Sequence, residues 1–185
     1  DGTSNYIHDF PHFAVSIAIK NKEKDRIEHA LIYDPLRQET FTATRGQGAY
    51  LDNPQRFTRR LRVSNRSSIQ ESLIGISIPS RGFNALTASI NKDALRTMMS
   101  QASGVRRTGS AALDLAYVAA GRLDAALELE LAPWDMAAGV LLVQEAGGIA
   151  CDLKGGENYF KTRHIIVANP KLCPLVLKAI SATTS

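Results

Sequence analysis

Residues 123–148 read LDAALELELAPWDMAAGVLLVQEAGG, and this stretch decides the class of fold. Leu123 to Leu129 is a short apolar run that reads as a strand. Pro133 follows at a position where proline is tolerated as the first helical residue, and Asp135 then falls in the first turn. The helix that Pro133 opens runs to Ala146 and is closed by Gly147. A strand leading directly into a helix is the unit from which layered α/β structures are built.

Working outward, the same alternation continues. Ser72 to Ser77 reads as a strand, Asn84 to Ala102 as an amphipathic helix and Val105 to Thr108 as a short extended piece. Ser110 to Ala120 is a helix that Gly121 closes, Ile165 to Ala168 a strand, and Leu172 to Ser181 the last helix. The N-terminal part differs. Residues 13–19, 26–34 and 39–44 read as consecutive strands, and a charged turn at Asn21 to Asp25 joins the first two into a meander. Pro35 ends the second, and Gly46 and Gly48 mark a turn after the third. Residues 53–68, rich in Asn, Arg and Ser, read as a boundary. The expected organisation is therefore an N-terminal lobe over 1–66 and a C-terminal α/β lobe over 67–185.

Bulk properties narrow the function classes. The chain has 185 residues, 44% apolar and 22% charged, with 22 Lys and Arg against 18 Asp and Glu, a net charge of +4. That excess suits an anionic substrate and is too small to argue for nucleic acid by itself. No apolar run approaches the ~20 residues that span a bilayer, so no membrane role is expected. Cys151 and Cys173 lack C-x-x-C spacing and read as reduced thiols of a cytoplasmic protein.

Four places carry chemistry. Asp1-Gly2-Thr3 is a tight turn that also sets a carboxylate beside backbone N–H groups suited to an anion. Asp135 complements the dipole of its helix and, equally, offers a hard oxygen ligand to a divalent ion. In Arg106-Arg107-Thr108-Gly109-Ser110-Ala111, Ser110 can N-cap the following helix. Gly109 permits close approach of a ligand, and Arg106 can meet a phosphate. Glu128 and Glu130, two apart at a strand end, share a face that can bind sugar hydroxyls or simply meet solvent. His8 and His12 are separated by Pro11, which breaks the helix that would align them. Arg59-Arg60-Leu61-Arg62 is a basic cluster with a solvated loop as its default reading.

Together these segments resemble one family. D-G-T-S-N at 1–5 resembles the second half of the D-P-x-D-G-T motif of inositol monophosphatases. P-W-D-M-A-A-G at 133–139, leading into E-A-G-G at 145–148, resembles their second signature. R-R-T-G-S-A-A-L-D-L-A-Y-V-A-A-G-R at 106–122 is similar to the bacterial members, and F-P-H-F-A-V-S-I-A at 10–18 and Y-D-P-L at 33–36 fit the same template. The resemblance implies a layered α/β/α/β/α sandwich of the sugar-phosphatase type and Mg²⁺-dependent hydrolysis of a phosphate monoester, inositol 1-phosphate first among them. Related phosphatases acting on fructose bisphosphate, histidinol phosphate or adenosine bisphosphate share the motifs.

Carried over by position, Asp1 and Asp135 would ligate metal. Gly2 and Thr3 would meet the phosphate, and Thr3 would help orient the attacking water. Arg106, Gly109, Ser110, Ala111 and Glu128 would line the substrate side. Two or three Mg²⁺ ions are implied, with further ligands and the N-terminal portion of the sandwich expected upstream of Asp1. A phosphorylated polyol substrate and a homodimer are also implied. Bacterial members are associated with the transcription machinery, so a regulatory binding protein is the competing expectation.

Overall fold

The computed structural model describes residues 1–77 and 92–181. Five strands, β1 (Val15–Asn21), β2 (Arg26–Asp34), β3 (Glu39–Thr44), β4 (Gly48–Asn53) and β5 (Arg56–Arg60), form an antiparallel sheet in sequential order. A second sheet of β6 (Leu73–Ser77), β7 (Gly104–Arg106), β8 (Ala125–Glu128), β9 (Ile149–Cys151) and β10 (Ile165–Ala168) has the order β7-β6-β8-β10-β9. β6 runs parallel to β7 and β8, whereas β10 runs antiparallel to β8 and β9.

Helices α3 (Ala111–Ala119) and α4 (Pro133–Glu145) lie between the sheets. Their sequences explain this position. Met136 to Val143 are all buried, as are eight of the nine residues of α3. A helix that is apolar all round needs cover on every side. α4 packs on β1 to β4 on one side and on β9 and β10 on the other. Each large side chain it buries, such as Leu141 or Leu142, contributes up to about 1.5–3 kcal/mol. Gly139 lets α4 approach α3 closely, because a Cβ there would stand 2.5 Å from Leu115 Cβ.

α2 (Lys92–Gln101) and α6 (Cys173–Ser181) pack together on the far side of the second sheet, where Leu95, Met98, Val176 and Ile180 join Ile74, Leu127 and Ile166 in a second core. The layers thus run sheet, helix pair, sheet, helix pair. The outer face of β1 is apolar: Val15, Ile17 and Ile19 are each about half exposed, with 50%, 51% and 57% of their surface accessible. Short helices α1 (Thr3–Ile7) and α5 (Tyr159–Thr162) and a 3₁₀ turn at Ile69–Glu71 complete the described structure.

The expected elements recur within a residue or two, and β2 and β3 match end for end. Two differences are instructive. The stretch read as a boundary holds β5, an edge strand whose arginines hide its β-pattern. β9 was not expected, because three residues give no periodicity to detect. Of the expected helix 84–102, residues 84–91 lie outside the described residues.

Polar links also tie the first sheet to the rest. Glu145 accepts the backbone N–H groups of Gly46 and Gly48 at 2.7 and 2.8 Å, so α4 holds the β3–β4 turn. Arg122 donates both guanidinium arms to Glu39 at 2.5 and 2.6 Å while stacking over Phe41 and Tyr117. A bidentate pair on aromatic faces is a role that arginine fills and lysine does not.

Candidate active site

Asp1 is locked into the fold through its backbone and its side chain. Its backbone nitrogen donates to Ala14 O at 2.8 Å, and Ala14 N donates back to Asp1 O at 3.0 Å. Gly2 then turns the chain at φ +85° into α1, in a space where a Cβ would meet His12 O and Phe13 Cα, each at 2.9 Å. Only glycine serves both demands. Asn5, on α1, donates its amide to His12 O at 2.7 Å and to Thr108 O at 2.9 Å. The same amide fills the space beside Gly109, whose Cβ would lie 2.9 Å from it.

These contacts bring Asp1 to the N-terminus of α3. Ser110 caps that helix with extended dihedrals, its hydroxyl accepting from Leu113 N at 3.4 Å, and donates that hydroxyl to Asp1 Oδ2 at 2.5 Å. Ala112 N donates to the same oxygen at 3.0 Å. A carboxylate thus sits on a first-turn N–H, the capping hydroxyl and the positive end of a helix dipole.

Asp135 occupies the matching position on α4. Its Oδ2 accepts Ala132 N at 2.9 Å, while its own N–H donates to Ala132 O at 3.0 Å, so it reaches back over the helix start. The hydroxyl of Ser16, on β1, donates to Trp134 O at 3.3 Å. Ala14 holds Asp1 and Ser16 holds the start of α4, so the beginning of β1 connects the two carboxylates. Asp135 thus serves the start of its own helix through Oδ2.

Glu128 is not a solvated strand terminus. It is fully buried at the end of β8, with neither oxygen in a well-aligned hydrogen bond. Beside it lies Asp114, on α3, also buried, whose Oδ1 accepts the Thr108 hydroxyl at 2.9 Å and whose Oδ2 is unpartnered. The two carboxyl groups approach each other, and the Ser77 hydroxyl lies next to Glu128. Burial, then the neighbouring Asp114, pushes the Glu128 carboxyl well above the usual range, and burial pushes Asp114 up to about 6. Glu130 does not share this face. The strand ends at Glu128, and Glu130 turns at φ +59° into solvent.

Arg106 is exposed at the end of β7, donating to Val105 O at 3.1 Å; Thr3 is exposed, and Ala111 is buried behind Ser110. Asn5, Thr108 and Asp114 are the members that the linear pattern did not single out. Asp114 lies near Glu128 across 14 positions, a proximity with no local signal.

Among the described residues no three His, Cys, Asp or Glu side chains converge to hold a metal ion. Asp1 and Asp135 nevertheless fit Mg²⁺ as partial ligands. Each is a hard oxygen donor held in place through Oδ2, with Oδ1 uncommitted. No helix of the described residues is long and apolar enough to cross a membrane.

The model of the inositol monophosphatase family matches residues 1–185. The Nus factor SuhB of Pseudomonas aeruginosa is 49% identical over 180 residues, 97% of this chain and 64% of that protein, so the chain spans just under two thirds of that relative's length. The crystal structure of the extragenic suppressor protein SuhB from Bartonella henselae superposes with a TM-score of 0.89 at 41% identity, covering all of this chain and 67% of the other. SaIMPase-II solved with inositol monophosphate bound, an inositol monophosphatase of Staphylococcus aureus, superposes with a TM-score of 0.81 at 30% identity, over 98% of this chain and 67% of that one. The match of sequence along the whole chain, together with the shared two-sheet architecture, establishes that this chain belongs to the inositol monophosphatase family.

Proposed function

We propose that the full-length protein is a Mg²⁺-dependent phosphomonoesterase, and that its substrate is a phosphorylated polyol, inositol 1-phosphate being the expected ester. The observation that carries the reading is the pair of carboxylates Asp1 and Asp135. Each stands at a helix start, is anchored through one oxygen, and is tied to the beginning of β1. Helix starts also favour the phosphate itself.

In this mechanism Asp1 and Asp135 would hold the metal, joined by ligands from elsewhere in the full-length protein. The chemistry Mg²⁺ supplies when bound is Lewis-acid stabilisation of charge on the phosphoryl oxygens. Gly2 and Thr3 offer backbone N–H groups to the phosphate, and the Thr3 hydroxyl orients the attacking water. Gly109 and Ala111 shape the wall beside Ser110, Arg106 meets the anion at the rim, and Glu128 faces the polyol. Catalysis of this type is mostly positioning and electrostatics, which suits residues fixed by helix ends and strand ends. The SaIMPase-II complex with inositol monophosphate supports the substrate class. The same proposal keeps the expectation of a homodimer in the cytoplasm.

Release of inorganic phosphate from inositol 1-phosphate by the full-length protein, dependent on Mg²⁺ and abolished by chelation, is the expected result. Turnover of neither inositol 1-phosphate nor any other sugar or nucleotide monoester would overturn the proposal.

A second reading is favoured by one observation. Arg59 and Arg60 on edge strand β5, with Arg62 just beyond it, are exposed along one border of the first sheet, and relatives bear the name Nus factor. On this reading the protein also docks on the transcription machinery. Salt-sensitive binding to RNA or polymerase that survives loss of Asp135 is its expected signature.

A further inference from the structure

Cys151 and Cys173 are the chain's two cysteines, and the fold brings them together. Cys151 ends β9, the edge strand of the second sheet, and Cys173 opens α6. Their sulfurs lie 3.6 Å apart, both thiols are free, and each residue is only 3% exposed. Each backbone is fixed by its own contacts. Cys151 pairs with Ile166 of β10. Cys173 N donates to Asn169 O at 3.1 Å, and the Asn169 side chain accepts Lys171 N and Leu172 N at 2.9 and 3.0 Å. The Asn169 amide donates in turn to Ser64 Oγ and Arg66 O, so the start of α6 is anchored well away from β9. Two separately held elements thus set sulfur against sulfur. A disulfide holds its sulfurs at about 2.05 Å, and modest rotation of the two side chains supplies the remaining closure. Cysteines present only as small apolar groups would fill this core without meeting at their sulfurs.

We infer that Cys151 and Cys173 form an oxidation site, at which hydrogen peroxide joins β9 to α6 through an intramolecular disulfide. The Cys173 thiolate attacks one peroxide oxygen, the O–O bond breaks, and the other oxygen leaves as water once protonated. Cys173 is then a sulfenic acid. The Cys151 sulfur attacks that sulfur, the S–O bond breaks, and the hydroxyl departs with the Cys151 proton as a second water. Two thiols have lost two electrons and two protons, and one peroxide has become two waters. The order of attack follows from position. Cys173 stands in the first turn of a nine-residue helix, where the dipole favours a thiolate. The hydrogen bond it shares with Cys151 also holds Cys173 below the usual thiol value and pushes Cys151 above it. Access needs only a local opening, since Pro174 and Leu175, next along the helix, are exposed. The new bond closes a loop from β9 through β10 to α6 and removes freedom from the unfolded chain. Both sulfurs lie in the core shared with α2, apart from the core that holds α3 and α4, so the inference does not rest on the phosphatase reading.

The test uses the full-length protein and needs no activity. Reduced protein is exposed to hydrogen peroxide, denatured, alkylated with a maleimide, digested and read by mass spectrometry. The peptides holding Cys151 and Cys173 should appear joined, short of two hydrogens and free of label, and dithiothreitol should separate them. Cys151→Ser should stop at a Cys173 sulfenic acid that dimedone traps, and Cys173→Ser should leave Cys151 open to the maleimide. The linked wild type should melt several degrees above the reduced form, with no such rise in Cys173→Ser. Both cysteines alkylated after peroxide treatment would overturn the inference. So would a link from either cysteine to another chain, or a Cys173 oxidised past the sulfenic acid with Cys151 still present. A linked form that melts no higher than the reduced one would overturn the tie between β9 and α6. Wild-type mapping decides the bond even where a serine variant fails to fold.

Discussion

The hydroxyl of Ser110 donates to the carboxylate of Asp1 at 2.5 Å, joining residues 109 positions apart at the N-terminus of α3. One side chain thereby caps a helix and fixes the orientation of a candidate metal ligand, so its loss should be felt in both stability and metal binding.

Ser110→Ala in the full-length protein should lower stability by about 1–2 kcal/mol, the usual cost of removing a serine cap. It should also weaken Mg²⁺ activation, because the Asp1 carboxylate keeps only the Ala112 N–H. Urea unfolding with and without Mg²⁺ measures both effects. A variant as stable as wild type with an unchanged Mg²⁺ requirement would remove Ser110 from the site.

Asp135→Asn should cut kcat by at least about 10²-fold, since a charged ligand acting on the transition state is lost. The amide oxygen can still accept Ala132 N, so stability should change by only a few tenths of a kcal/mol through the helix dipole. Steady-state kinetics at saturating Mg²⁺ together with a melting curve provide the check. Turnover within about threefold of wild type would end the case for Asp135 as a ligand.

Gly139→Ala offers a test of the fold that is independent of function. Alanine is favoured over glycine in a helix by up to about 1 kcal/mol, yet its Cβ would stand 2.5 Å from Leu115 Cβ and Cδ2. Overpacking should win, with a net loss of about 1–3 kcal/mol. A stabilised variant would show that α3 and α4 are packed less tightly than described.

Arg122→Lys should destabilise nearly as much as Arg122→Ala. The bidentate bond to Glu39 and the stacking on Phe41 and Tyr117 need a planar fork. Glu39 is mostly buried while the arginine remains about one-third exposed. The expected loss is therefore about 1–3 kcal/mol, below that for a fully buried pair. Denaturant titration of the two variants compares them directly, and full rescue by lysine would contradict the geometry.

Local chemistry was enough to read much of this protein. The helices at 110–120 and 133–146 were legible from their ends, which Ser110, Pro133, Gly121 and Gly147 marked. Each of these signals lies within one turn of the residues it governs, so it survives in a linear reading. Strands β4 and β5 were harder to read. Arg59 and Arg60 of β5 face solvent, and such an edge strand is defined by the partner it borders rather than by its own periodicity. The site was legible only in part. That Asp1 and Asp135 are carboxylates at helix starts is written in the chain, and family resemblance gave them a role. That Asp1 rests on Ser110, that Asn5 joins α1 to Thr108, and that Asp114 meets Glu128 out of water was decided by the tertiary structure alone. These contacts bridge separate layers, and the free energy of a buried carboxyl group depends on its neighbours in space, which no local pattern of residues records.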